Sequence, residues 1–249
     1  QQLTCGQHVH VEIGSRAEGV AVIDRIGVWL PTVLALSANS PFWQGQDTGY
    51  ASFRTIMWGL WPTAGPAGPF GDEAGYDAAV ADLVSTGAAM DEGMIYFDAR
   101  LSGRYPTVEI RVADVCTDVD DAVLIGVICR ALVDTAAAAW RTGTPAPRVA
   151  PQMQRAAMWR AARFGVSGGL VDPDSRRVVP AAEAVAAMIE LLTPALVDNG
   201  DGALVAQGIA RILGGGTGAE RQRAAFHSAD GDLTAVVDDA ARRTLGGDS

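Results

Sequence analysis

His8, Val9, His10, Val11 and Glu12 spell an extended segment near the start of the chain, and the two-residue period of a strand puts both histidines and the carboxylate on one face. The only other histidine is His227, so any metal or proton chemistry that uses imidazole concentrates at this segment. A second run, Tyr105 to Asp114, carries the matching signal: Glu109 and Arg111 share one face, while Val108, Ile110 and Val112 take the other. A carboxylate and a guanidinium therefore project together. Paired histidines on a strand also suit hydrogen-bonded core positions, and His8, His10 and Glu109 together would supply the three protein ligands of a zinc hydrolase or lyase.

Composition narrows the choices. The chain has 249 residues, 49% of them apolar, enough for one large domain with a real core. A formal charge of -10 argues against a nucleic-acid or anionic-membrane partner, since both reward clustered positive charge. All 19 basic residues are arginine. The lack of lysine excludes a Walker lysine, a pyridoxal Schiff base and a lysine nucleophile, so any phosphate must be held by arginine, backbone N–H or metal. Cys5, Cys116 and Cys129 have neither the count nor the spacing of a disulfide framework, which favours a reducing, cytoplasmic setting. The longest apolar stretches are interrupted by charges and read as buried helices, not membrane spans. The chain opens on Gln1 close to a strand, which suggests part of a longer product.

The elements that must position these residues follow from local signals. Ser15-Arg16-Ala17-Glu18 is a capping box, predicting a helix to about Leu36 with a kink at Pro31. Ser37 to Tyr50 is polar, Gly-rich and aromatic, an ordered loop that presents side chains, in which Asn39 and Asp47 either bind or organise the turn. A helix then carries Arg54, and Trp61 to Pro69 forms another loop because its prolines lack donors. Tyr76 to Thr86 is helical, with Gly87 as the cap. Met94–Ala99 and Tyr105–Ala113 read as a hairpin turning through Arg100 to Arg104. Thr117 with its acidic first turn starts a helix reaching Trp140. Beyond Pro151 the pattern is helical nearly to the end: 152–164, 181–197, 204–213, 219–227 and 233–245, with the glycine run at 214–218 as a turn capped by Thr217 and His227 near a helix end.

Gly6-Gln7-His8-Val9-His10-Val11, the Ser37 to Tyr50 loop with Arg54 behind it, Pro62-Thr63-Ala64-Gly65-Pro66, Pro106 to Asp121 and Trp159-Arg160-Ala161-Ala162-Arg163-Phe164-Gly165 occur in an order that resembles the bacterial carboxylate-amine ligase family. Within it the likeness is to the type-2 glutamate-cysteine ligase group, which is similar in fold to glutamine synthetase. The resemblance covers nearly the whole chain. It implies an α+β fold, an antiparallel sheet forming the active-site face and backed by helices, in a single catalytic-type domain over 1–249, with sheet and site loops in 1–150 and a helical region in 151–249. It further implies that the acidic strand with which family members begin is not in this sequence, so that the domain is incomplete at its N-terminus: a cleaved or truncated product, a split protein that needs a companion chain, or a non-catalytic subunit that has lost ligase function.

The likeness to glutamine synthetase assigns His8 and Glu109 to metal, with His10 beside them, and Arg111 to the reaction centre. Activating a carboxylate with ATP brings two anions together, and cations must cancel the charge. The expected cofactors are therefore ATP and Mg2+, with Mn2+ as a substitute, and the expected partners are an amino-acid carboxylate, an amine and a second copy of the chain. With no lysine the remaining anion contacts fall to arginines: Arg160 and Arg163 to nucleotide phosphate, Arg54 with Asn39 to substrate. On a helix, Arg160 and Arg163 also fit a solvated or salt-bridged face.

Overall fold

Alternation of apolar and polar residues commits the first extended run to a sheet edge. In the computed structural model, which describes residues 4–246, Val9 and Val11 turn toward the core while His10 and Glu12 stay exposed on strand β1 (Val9–Glu12). Helix α1 (Arg16–Ile26) starts where its cap predicts: Ser15 Oγ accepts from the Glu18 N–H at 3.1 Å. The Glu18 carboxylate reaches one residue further back and takes the Gly14 N–H at 3.0 Å, while its other oxygen pairs with Arg141.

The single kinked helix expected to Leu36 is instead two, α1 and α2 (Leu30–Ser37), bent by 71°. Pro31 lies in the first turn of α2, where its missing N–H costs nothing, and the break falls on the three residues before that helix. The following loop contains a tight hairpin, β2 (Phe42–Trp43) and β3 (Gln46–Asp47), whose turn residues Gln44 and Gly45 both have positive φ, 47° and 80°. Helices α3 (Phe53–Trp58) and α4 (Glu73–Ser85) are capped by Ser52 and Asp72.

Met94–Ala99 does not form the expected strand. Asp91 caps a short 3-10 turn, Glu92–Met94, and Phe97 makes an isolated bridge to Gly65, so pairing begins only at β4 (Ala99–Leu101). The turn shifts to Ser102–Pro106, and Arg100 moves from the turn into the strand. Strand β5 (Thr107–Ile110) is central in the antiparallel order β1-β5-β4, with His10 opposite Glu109 on one side and Arg100 opposite Glu109 on the other.

Asp118, rather than Thr117, caps α5 (Val119–Arg141). This helix is long and apolar enough by composition to cross a membrane, yet it is the core helix here, packed against α1 and α2. Its buried Leu124, Ile125, Ile128 and Leu132 contribute on the order of 8 kcal/mol, at about 2 kcal/mol each. After α6 (Pro151–Phe164) the chain makes a small hairpin in the stretch between the two predicted helices, β6 (Gly169–Val171) with β7 (Val178–Pro180). Four helices close the chain: α7 (Ala181–Asp198), α8 (Gly202–Gly215), α9 (Gly218–Ser228) and α10 (Leu233–Thr244). Val108 and Ile110 of the sheet share one apolar core with Leu34, Leu132, Met188 and Ile212, so the fold is α+β with the helices behind the sheet.

Candidate active site

Glu109 is where the predicted parts meet. Its Oε1 accepts from Arg111 Nη1, lies 3.0 Å from His8 Nδ1 and 3.8 Å from His10 Nε2; its Oε2 accepts from Arg100 Nε at 2.8 Å. Strand alternation brings this about, since His10, Glu109 and Arg100 form one cross-strand row and Arg111 stands two residues along the same face. Burial pushes the Glu109 pKa up, but the His8 and Arg100 contacts and the Arg111 charge outweigh it and hold the carboxyl well below the usual carboxylate range. The residue stays ionised at neutral pH.

Arg100 is the member that sequence reasoning missed. Placing it in a turn hid the parity that pairs it with Glu109; the alternation of apolar Ala99 and Leu101 about Arg100 was the available signal. Its Nη1 also donates to the carbonyls of Ile95 (2.7 Å) and Gly93 (3.2 Å). Together with His10 and Glu109 it floors a groove of about 1320 Å³, walled by Tyr76 and Asp77 of α4, the Asp91–Gly93 turn and Tyr105. Arg111 stacks between aromatic rings, its guanidinium carbon 5.8 Å from the Trp58 centroid and 5.9 Å from that of Tyr96.

The other predicted residues divide. Arg54 turns inward: it is 7% exposed and donates to the carbonyls of Val112 (3.1 Å) and Arg111 (3.0 Å), with Asp114 Oδ1 at 3.7 Å. It supports the end of β5 from behind the site and does not face the groove. Asn39 is likewise occupied, donating to the Val115 carbonyl (2.6 Å) and accepting from Gln222 (2.7 Å), so it organises its loop. Asp47 pairs with Arg223, which lowers its pKa, and Asp47 too serves the loop. Arg160 donates to the Gly169 carbonyl at 2.7 Å and holds the small hairpin. Arg163 stacks on Tyr50 and Phe164, with ring centroids 5.1 and 5.6 Å away, and makes no ion pair among the described residues. Through Tyr50, Arg163 lies at the N-terminal side of α3, whereas Trp58 brings Arg111 to its C-terminal side.

The donors on this face that a cation could use are the Glu109 carboxylate and the His8 imidazole, and the carboxylate oxygens also accept from Arg100 and Arg111. A three-ligand zinc cage is a poor match. No group of three His, Cys, Asp or Glu side chains that could hold a metal occurs among the described residues, and His10 Nδ1 lies 2.9 Å from Thr107 Oγ1.

Comparison with known sequences gives the chain a family. The profile of glutamate-cysteine ligase family 2 matches residues 1–239. A protein of Frankia alni, provisionally named glutamate–cysteine ligase 2-2, is 54% identical over 98% of this chain and 63% of its own length. One from Paenarthrobacter aurescens, provisionally named glutamate–cysteine ligase 2-1, is 52% identical over 91% of this chain and 59% of its own length. A namesake from Streptomyces avermitilis is 50% identical over 99% of this chain and 68% of its own length. The chain thus spans roughly three fifths to two thirds of the relatives it matches. With the family profile running through the paired strands as well as the helices behind them, the chain belongs to glutamate-cysteine ligase family 2.

Proposed function

We propose that the chain serves an ATP-dependent carboxylate-amine ligation, with the γ-carboxylate of glutamate as the acid and the amine of cysteine as the nucleophile. The observation that carries this reading is the ionised Glu109, held between Arg100, Arg111 and His8 on the floor of the groove. In the reaction a carboxylate oxygen bonds to the γ-phosphorus and ADP leaves with its electron pair. The amine nitrogen then bonds to the acyl carbon, phosphate leaves, and the ammonium proton passes to solvent.

Two anions meet in the first step, and the chain's own cations oppose that repulsion. Arg111, fixed by Trp58 and Tyr96, offers donors to the transferring phosphoryl group; Arg163, which makes no ion pair among the described residues, serves the nucleotide phosphates, while Arg160 is taken by the Gly169 carbonyl. Glu109 and His8 are the residues that would hold magnesium or manganese, which when bound cancels phosphate charge. The sheet and its groove supply orientation. Ligase chemistry is favoured over zinc hydrolysis because the relatives are named as glutamate–cysteine ligases and because no third His, Cys, Asp or Glu joins Glu109 and His8 as a metal-holding group among the described residues.

The test is ADP and phosphate release by the chain with ATP, Mg2+, L-glutamate and L-cysteine. Release should require glutamate, and Glu109→Ala should lower it by about 10²-fold or more, the scale for losing one group that organises transition-state charge. Turnover unchanged in Glu109→Ala, phosphate release indifferent to glutamate, or no turnover at all would each overturn the reading for this chain.

A further inference from the structure

Glu109 has two competing partners for its second oxygen, and the competition decides what its first oxygen faces. Arg111 already donates to Oε1 through Nη1, and its Nε is buried with no hydrogen-bond partner. Left to itself, such a pair favours the fork arrangement, in which one guanidinium takes both carboxylate oxygens through two parallel N–H bonds. Made through Nη1 and Nη2, that arrangement would take Oε2 as well as Oε1 and turn the carboxylate to Arg111 rather than to the imidazoles. The structure shows the other outcome. Arg100 Nε takes Oε2 at 2.8 Å from the opposite strand, and Oε1 stays 3.0 Å from His8 Nδ1.

Arg100 is in turn held by a loop and not by the sheet alone. Its Nη1 is bound by the carbonyls of Ile95 and Gly93, on the turn that Asp91 caps by accepting the Gly93 N–H at 2.9 Å. Asp91, Glu92 and Gly93 also line the groove, so a molecule entering it meets the segment that holds Arg100.

We propose that Arg100 is a positioning residue: it keeps Glu109 out of a two-oxygen pair with Arg111 and aims Oε1 at His8 and His10, with the Asp91–Ile95 turn setting its reach. The inference deepens the ligase reading, because it concerns the carboxylate on which that reading rests. It is testable without turnover.

The chain contains three histidines, two at this carboxylate and one, His227, on α9, which makes ring-nitrogen NMR of histidine-labelled protein a direct readout. Arg100→Gln should move the His8 and His10 ring signals toward those of Glu109→Gln protein while His227 stays in place. Arg100→Lys, which keeps the charge but loses the guanidinium fork, should do the same. Asp91→Ala, on the exposed turn, should move the same two signals in the same direction by a smaller amount. Wild-type positions for His8 and His10 in the folded Arg100→Lys or Arg100→Gln protein overturn the positioning role, and unmoved signals in Asp91→Ala overturn the part assigned to the turn. Failure of the ligase reading appears separately, as absence of glutamate-dependent ADP release, and leaves these spectra unaffected.

Discussion

Asp98 carries a strain that pH should expose. It is 7% exposed, its Oδ2 has no partner among the described residues, and burial pushes its pKa from 3.8 up to about 7, with only the Arg54 charge pulling the other way. A carboxyl whose folded pKa exceeds its unfolded one binds its proton more tightly when folded. It is neutral in both states below about pH 4, so it costs nothing there; between about pH 4 and pH 7 the unfolded state ionises first and stability falls. The full cost above that window is on the order of 4 kcal/mol, at about 1.4 kcal/mol per pKa unit. Glu109 has the opposite sign: its folded pKa is depressed, so its contribution is present above the unfolded value of 4.5 and lost as pH falls below it. Asp114, buried and also raised, adds to the slope in the Asp98 sense. Urea midpoints should therefore fall from pH 4.5 to pH 8, and Asp98→Asn should remove much of that fall. Parallel pH profiles for the two proteins would contradict the assignment.

At the scale of elements, the join between α3 and the sheet depends on the absence of a side chain. Gly6, which bridges to Asp114 just ahead of β1, lies so close to Arg54 that an added Cβ would come within 2.0 Å of Nη2. The guanidinium cannot retreat easily, because it is fixed on the carbonyls of Arg111 and Val112. Gly6→Ala should cost about 1–3 kcal/mol by overpacking, whereas Gly103→Ala, with nothing within 4 Å of its added Cβ, should be nearly neutral; denaturant midpoints give the comparison, and equal midpoints would refute it. These elements also show what the sequence reveals and what it conceals. Strand β5 was legible because Val108, Ile110 and Val112 alternate with Glu109 and Arg111, and the facing histidines followed from the same period. Arg100 was not, because Ile95 and Phe97 are buried individually while their backbone belongs to a turn and an isolated bridge, which mimics a strand beginning too early. Arg54 and Asn39 were read as substrate contacts, but the engagement of their donors by the carbonyls of Arg111, Val112 and Val115 is a tertiary fact that no spacing encodes. The α1–α2 break was misplaced for a similar reason: proline marks the start of a second helix as readily as a kink in one.

For the whole molecule, the question is how the C-terminal helices bear on a sheet that lies far from them in sequence. Asp121, 3% exposed in the first turn of α5, is the joint: Oδ1 accepts from Arg211 Nε (3.1 Å) and Nη2 (2.8 Å) on α8, and Oδ2 accepts from Arg221 Nη2 on α9. From α9 the connection continues to the site loop. The Ala219 N–H donates to the Ala38 carbonyl at 3.0 Å, Gln222 Nε2 donates to Asn39 at 2.7 and 2.8 Å, and Arg223 holds Asp47 at 2.7 Å. The Asn39 N–H then donates to Asp114 at 2.8 Å, just beyond β5. Asp121→Ala would leave Arg221 half-enclosed without its counter-charge, and loss of one partner of a buried pair costs about 3–5 kcal/mol. Because the energy is spent at the α5–α9 joint, the loosening should be regional: amide exchange should quicken in residues 202–228 and 37–50 together, while the buried centre of α5 keeps its protection. Hydrogen–deuterium exchange read by peptide distinguishes this from a local defect. Faster exchange confined to the first turn of α5 would show that the loop is anchored by its own hairpin and by Asp114, with the C-terminal helices contributing nothing to the geometry of the site.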